Sequence, residues 1–431
     1  MMKCNYWRRF ALLFCLLLLG NISGKAATIK AGKGFQSIKQ GLEMANAGDT
    51  VRVMPGHYHE GNLTISKRIV FLGEGYPTLD GDHKVEVLTV KADSVIVEGF
   101  KVINSGRSSL EELAGIKLYQ VFMVQVRNNI LDNNNFGIYS LNCGSCTIEG
   151  NKITAYGKDE QSSGNGIHCW KSIDMRIIAN HISGHRDGIY FEFVTSSIIW
   201  RNVSEHNVRY GLHFMFSHDD SYICNVFSKN GAGVAVMFTH GIRMFNNFFE
   251  DNWGESAYGL LLKEINNSYI SGNHFIGNTI GIHMEGGSNI MMLHNLFEGN
   301  GYALRIQGSC ENDTLIHNDF IANTFDVATN SSASLNYFNN NYWDKYEGYD
   351  LKRDGIGDVP YHPVSLFSTV TETMPAAMML FRSFMVTLLD KTEKVLPSVI
   401  PEGLKDEHPM MKRNTKGERE WAKEVANKKN I

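Results

Sequence analysis

YGLHFMFSH at residues 210–218 is matched position for position by AGVAVMFTH at residues 232–240. Both carry a Gly-apolar-x-apolar-x core, and that core recurs along the chain. It begins at Gly166, Gly188, Gly211, Gly233, Gly259, Gly281 and Gly301, in steps of 22, 23, 22, 26, 22 and 20 residues. A second marker, Asn-x-apolar, keeps the same phase at Asn180, Asn202, Asn225, Asn247, Asn273, Asn295 and Asn318, in steps of 22, 23, 22, 26, 22 and 23. The two markers lengthen at the same place, so the period near 22 is structural and the 26 is a loop insertion over Asn252 to Ser256. Within each glycine motif the apolar residues alternate, as in Leu212 and Phe214 or Val234 and Val236. That is the signature of a strand with one face inward. A repeat this short cannot bury its apolar face alone and must stack on its neighbours. The expected fold is all-β: a parallel β-helix, a solenoid with rungs of about 22 residues.

The rest of the chain fits that frame. Pro is scarce, 8 in 431 residues, which argues against long disordered linkers. The asparagines are expected to stack as a ladder inside a turn, because a buried polar column must satisfy its own hydrogen bonds. Residues 27–80 read as an N-terminal cap and first rungs, with an amphipathic helix between Ser37 and Gly48, a strand from Asp49 to Met54 and a turn at Pro55-Gly56. Residues 81–340 read as the solenoid and 341–365 as a closing coil rich in aromatics, Gly and Asp. Residues 366–411 read as a C-terminal helical docking segment, with one helix over Pro375 to Leu396 that aligns Phe381, Phe384, Met385, Leu388 and Leu389. Its apolar face needs a cover, either the solenoid itself or a membrane protein. The tail, 412–431, has seven Lys or Arg against three Glu and reads as solvated.

Lys3, Arg8 and Arg9 precede an apolar run from Phe10 to Leu19, followed by small residues to Ala26. This is the pattern of a cleaved export signal, residues 1–26, and the run is too short to span a bilayer. The segment carries four positive charges and no negative one, so its removal takes the formal charge from -4 to -8. Nucleic acid is thereby excluded as a natural partner. Cys143, Cys146, Cys169, Cys224 and Cys310 remain, an odd number that cannot complete a disulfide framework within one chain.

Aligning the rungs by their glycines puts Met215 over Met237, His218 over His240 and His213 over Ala235. Neighbouring strands lie about 4.8 Å apart. His213, Met215 and Met237 are therefore expected within reach of one ion, with His218 and His240 contributing from the strand corner. Thioether sulfur with imidazole is a soft donor set suited to Cu(I) rather than to magnesium, calcium or manganese. The alternative is that these are ordinary solenoid surface residues. His168 and His283 share the register of His213 but lie two and three rungs away. Cys143-Gly-Ser-Cys146 has redox or metal spacing without a second pair, which favours a structural disulfide or inert thiols. The loop from Asp350 to Asp358 has calcium-loop character, but Lys352 and Arg353 inside it favour a hydrogen-bonded turn. Two rival functions belong to this architecture: a polysaccharide lyase or glycosidase, and a non-catalytic surface-binding protein. For the first, Glu192, Lys263, Glu285 and Arg305 are read in the outward register of Met215, with Glu192 and Lys263 about 14 Å apart, too far for joint action on one sugar.

The blocks RDGIYFEFV from Arg186, RYGLHFMFSHDD from Arg209, NGAGVAVMF from Asn230, YGLLLKEI from Tyr258, NTFDVATN from Asn323 and NYWDKYEGYDLKRDGIGDVPYHPVSLFS from Asn341 closely resemble the NosD family. RSFMVTLLD and VLPSVIPEGLKDEHPMM extend the likeness to Met411. The resemblance implies a right-handed parallel β-helix and a periplasmic accessory protein, not an enzyme, for copper-site maturation of nitrous oxide reductase. It also implies assembly with an ABC permease and its ATPase, receipt of Cu(I) from a copper-chaperone lipoprotein, transient binding and delivery towards the reductase. Membrane association would then run through the permease, with the C-terminal helix as its contact. The Met and His cluster falls inside the matching blocks, although its role as the copper site rests on register alone. Lys352, where an acidic residue is expected, and the basic tail after Met411 depart from the pattern.

Overall fold

The computed structural model describes residues 26–108, 110–254, 257–331, 335–381, 383–386, 388–389 and 404–414. All of the stretch read as an export signal except Ala26 lies outside them, as does the tail beyond Asn414.

Each rung makes three short strands joined by tight corners. The rung containing Met215 runs through Tyr210–Met215, Ser221–Ile223 and Val226–Ser228, on what we term the first, second and third faces. Its corners at Phe216, Cys224 and Lys229 have φ of 49°, 54° and 54°, left-handed values that let a single residue turn the chain. Strands pair in parallel with their equivalents one rung away, and the solenoid is a right-handed parallel β-helix of about 13 turns. Among the described residues the third face is a 13-stranded sheet, and the first two faces form one of 25 strands.

The repeated glycine is steric in origin. A Cβ at Gly211 would stand 2.8 Å from the carbonyl oxygen of Gly233, and one at Gly259 the same distance from that of Gly281. Gly281 pairs, however, at the level of Ala303, because Ile280 lies opposite Tyr302 and Ile282 opposite Leu304. Gly301 is therefore two residues ahead of the glycine column, which accounts for the short step of 20. Arg305 shifts with it: it lies opposite His283, in the column of His213, and not in the register of Met215.

Inside the third face, Phe227, Phe249, Phe275, Phe297, Phe320 and Trp343 form a continuous buried stack. From Phe249 to Trp343 the centroids lie 4.0 to 4.9 Å apart, with interplanar angles below 10°. Such contacts add about 0.5–1.5 kcal/mol each beyond the apolar area they bury.

The asparagine ladder is present and longer than the seven positions read from the repeat, running from Asn129 to Asn341. Asn225 is typical. Its Oδ1 accepts from the Asn202 backbone N–H at 2.9 Å, and its Nδ2 donates to the Ile199 carbonyl at 2.8 Å and to Asn247 Oδ1 at 3.0 Å. The amide thus bonds backbone of the preceding rung and side chain of the following one. A second ladder, unread in the sequence, links Asn207, Asn230, Asn252, Asn278, Asn300 and Asn323.

Helix α1, Ile38–Met44, covers the N-terminal opening with Ile38 and Leu42 buried. Ser37 caps it reciprocally with Gln40, and Glu60 accepts from the Ile38 and Lys39 backbone N–H groups at 2.8 and 2.9 Å. The C-terminal part differs from the reading of one helix over Pro375 to Leu396. Helix α2, Leu366–Thr373, starts at the cap Ser365, and a 3-10 turn, Pro375–Leu380, follows, because proline ends one helix and begins the next. Residues 382, 387 and 390–396 of that reading lie outside the described residues. Phe367 and Val386 pack with Phe325, and Arg305 pairs with Glu372 at 2.8 Å, so this segment lies back on the last rung. Residues 404–411 then return to the solenoid as an extended strap, bridging Phe338 and Tyr361 through Asp406, and Tyr342 and Ile356 through Met410.

Candidate metal-binding face

On the first face the second residue after each glycine and the fourth point outward, in two columns. One contains Tyr139, His168, Tyr190, His213, Ala235, Leu261 and His283 in successive register. The other contains Trp170, Glu192, Met215, Met237, Lys263 and Glu285. Met215 and Met237 are therefore direct neighbours, and both are half-buried. Adjacent parallel strands hold such a pair about 4.8 Å apart at the backbone, within reach of one ion.

At the corner beyond them the rings of His218 and His240 stack at 4.1 Å with an interplanar angle of 29°. His218 is half-buried and His240 exposed. His218 Nδ1 lies 3.3 Å from Thr239 Oγ1 and 3.4 Å from the His240 backbone nitrogen, which fixes the ring from one side. Burial, helped by the neighbouring His240, lowers its pKa, so the imidazole favours its neutral, ligand-competent form.

His213 is placed differently. It is buried, between Tyr190 at 5.0 Å and Tyr210 at 4.9 Å, and its Nδ1 lies 3.6 Å from Asp187 Oδ2. Asp187 is fully buried. Arg209 Nε donates to its Oδ1 at 2.9 Å, and a second guanidinium nitrogen to Oδ2. Burial alone would raise the Asp187 pKa, but His213 and Arg209 together hold it below the ordinary carboxylate value. Arg209, with a guanidinium nitrogen 3.4 Å from the same Nδ1, and the Asp187 carboxylate thus hold the His213 ring from one side, while Nε2 is buried without a hydrogen-bond partner. Tyr190, one rung before, lies with Oη 3.2 Å from Glu192 Oε2 and 3.8 Å from Met215 Sδ, so the two columns touch. Met215 and Met237 close the first face and the His218–His240 pair stands at the corner three residues further along the same two rungs, a strip beside which His213 is set deeper. Asp187, Arg209 and Tyr190 escaped the sequence reading. Their one signal was that Asp187 and Arg209 lie on successive rungs beside the glycine motif, as in RDG and RYG.

The other candidates are quieter. Cys143, Cys146, Cys169 and Cys310 are buried free thiols. The Asp350 to Asp358 loop is a hydrogen-bonded turn, in which Asp350 accepts from the Asp354 and Gly355 backbone and Lys352 Nζ lies 3.0 Å from Asp358 Oδ1. Glu192 and Glu285 are four strand steps apart, about 19 Å at 4.8 Å per step. Carboxylate pairs that cleave glycosidic bonds stand about 5–9.5 Å apart.

Residues 153–348, which hold the whole strip, match the family described as "Periplasmic copper-binding protein (NosD)", and residues 36–172 match "Right handed beta helix region". The chain is 28% identical over 422 residues to a protein of Pseudomonas aeruginosa named "Probable ABC transporter binding protein NosD", covering 93% of this chain and 95% of that one. A protein of the same name from Stutzerimonas stutzeri is 27% identical, over 94% of each. The catalytic unit of a GH87 alpha-1,3-glucanase from Streptomyces thermodiastaticus superposes with a TM-score of 0.56 at 12% identity, over 75% of this chain and 66% of that one, which is a likeness of fold alone. Fold and surface strip together define a right-handed parallel β-helix with a soft-donor strip of Met and His on one face. Matched over nearly its whole length by relatives named NosD and over its central rungs by their family model, the chain is similar to the NosD family of periplasmic proteins.

Proposed function

We propose that this protein is a non-enzymatic copper carrier that binds Cu(I) transiently at Met215 and Met237 and passes it on for maturation of nitrous oxide reductase. The observation that carries this is the direct pairing of Met215 with Met237 beside the stacked His218 and His240, inside the stretch that matches the copper-binding family. Two thioethers with one or two imidazoles prefer Cu(I). An open strip of so few ligands suits release as well as capture, since a closed four-ligand site would hold its ion too firmly to hand over. In this reading His213 is the deeper ligand. Arg209 and Asp187 both lie at its Nδ1 and hold the ring, leaving Nε2 for the ion.

The relatives named as ABC transporter binding proteins support assembly with a permease and its ATPase; in this reading a copper-chaperone lipoprotein is the donor. Among the described residues no helix is long and apolar enough to cross a membrane, so in this reading contact with the bilayer is made through the permease. Met379, Leu380, Phe384, Met385 and Leu388 are exposed together after α2, and we assign them to that contact.

Anaerobic Cu(I) titration of the purified chain beside a variant with Met215→Leu and Met237→Leu tests the site. The swaps preserve apolar volume and hence the fold. Binding by the parent that is lost in the variant is the expected result, and equal binding by both overturns the assignment.

A further inference from the structure

The first strand of the third face, His57–Tyr58, and the residue after it place His57 and His59 on the same outward side, with Tyr58 turned towards the core. One rung on, Tyr58 lies opposite Leu79, and Asp80 follows at the end of its strand. One nitrogen from each histidine and one oxygen of Asp80 lie within 4.8 Å of one another, and among the described residues no other three His, Cys, Asp or Glu side chains do so. From this geometry we propose a second metal site, for a divalent ion of the zinc class, at the N-terminal end of the third face.

The donors are arranged as such a site requires. Asp80 is buried, its side chain 8% exposed, and is oriented by Asn104 Nδ2 at 3.1 Å and by the Asp82 backbone N–H at 3.0 Å. His57 Nε2 faces its Oδ2 at 2.8 Å, where an ion would replace a proton. His59 Nδ1 lies 2.8 Å from Asp82 Oδ1, so the second imidazole carries its own carboxylate partner and offers Nε2. A carboxylate behind a metal-bound histidine fixes the tautomer and raises ligand basicity. The two rings lie nearly parallel, centroids 4.5 Å apart and 17° between planes, and since an imidazole lone pair lies in its ring plane, one of these half-exposed rings turns for both nitrogens to meet one ion. Both histidines are about half exposed, which gives solvent access and leaves a coordination position for water or an exogenous ligand. Two imidazoles and a carboxylate select Zn2+ or another borderline divalent ion, whereas the thioethers of the first face select Cu(I). The two sites lie on different faces and cannot share an ion.

Zn2+ titration by calorimetry of the full chain tests this, beside His57→Ala/His59→Ala, Asp82→Ala, a His181→Ala surface control and the Met215→Leu/Met237→Leu variant. The paired histidine variant is expected to lose one equivalent of Zn2+, and Asp82→Ala to weaken that equivalent about 10-fold or more. His181→Ala and the methionine variant are expected to keep it, so this result is independent of the copper reading. Unchanged stoichiometry in His57→Ala/His59→Ala, with its thermal melt matching the parent, overturns the site. So does an equal loss in His181→Ala, which would mark adventitious binding to surface histidine.

Discussion

Asp187 shows how much a single carboxylate organises. It is fully buried, it engages Arg209 through both oxygens, and it faces His213. Asp187→Ala would strand the Arg209 charge in a partly buried position and free the His213 ring, and breaking such a pair costs about 3 kcal/mol or more. A fall of that size in unfolding free energy from urea denaturation is expected, whether or not copper is present. Asp313 is the opposite case. Its Oδ1 accepts from the Ile290 backbone N–H, but Oδ2 is buried without a partner, and burial pushes its pKa up to about 6. The folded state therefore holds a proton that the unfolded chain releases near pH 4. This contribution to stability is complete below about pH 4 and lost as pH rises through about 6. The stability gained by Asp313→Asn relative to the parent should accordingly be larger at pH 7 than at pH 4, by urea unfolding at both. Neither role was legible beforehand. The period put Met215 over Met237 because register follows from counting, whereas the closure of Asp187 onto Arg209 depends on how the residues around the glycine corner pack.

At the level of elements, the regular parts were read well and the departures from regularity less well. The strands, the first asparagine ladder and the N-terminal helix all follow from the spacing of residue types. The second ladder repeats the first five residues later, Asn207 after Asn202 and Asn230 after Asn225, and was open to the same arithmetic. Gly301 misled because a glycine two residues out of phase resembles one in phase, and only the pairing of Gly281 with Ala303 separates them. At the C-terminal end the reading began its helix at Pro375, where the chain makes a 3-10 turn, and missed the helix Leu366–Thr373 before it, because apolar periodicity marks a face and not the hydrogen-bond pattern beneath it. The aromatic stack of the third face makes a firm prediction. Phe297 is fully buried between Phe275 and Phe320, so Phe297→Ala should cost about 3–5 kcal/mol, a cavity penalty with loss of two ring contacts. Guanidinium denaturation with tyrosine and tryptophan emission as the signal would measure it.

For the whole molecule, stacking in one dimension makes stability a sum over neighbouring rungs and keeps damage local. Asp406 permits a test. Its Oδ2 accepts from the Asn341 backbone N–H at 2.9 Å, from Asn341 Nδ2 at 3.0 Å and from Trp343 Nε1 at 3.1 Å. Asp406→Ala leaves three buried donors stranded, at a cost of about 1–3 kcal/mol each. Amide exchange should quicken in Leu335–Asn339 and Tyr342–Trp343 while the rungs around Met215 stay protected.

The asparagine column also has a direction. Every Nδ2 from Asn129 onward donates to the Oδ1 of the following rung, so the chain of amides is a one-way circuit of donor into acceptor. At its far end stands a carboxylate, which accepts and has nothing to give. A further rung docking there, from this chain or another copy, would receive no donation from the column, and its own donors would meet a group already engaged four times. Length is thus limited by valence at Asp406: the solenoid stops growing where the supply of hydrogens runs out.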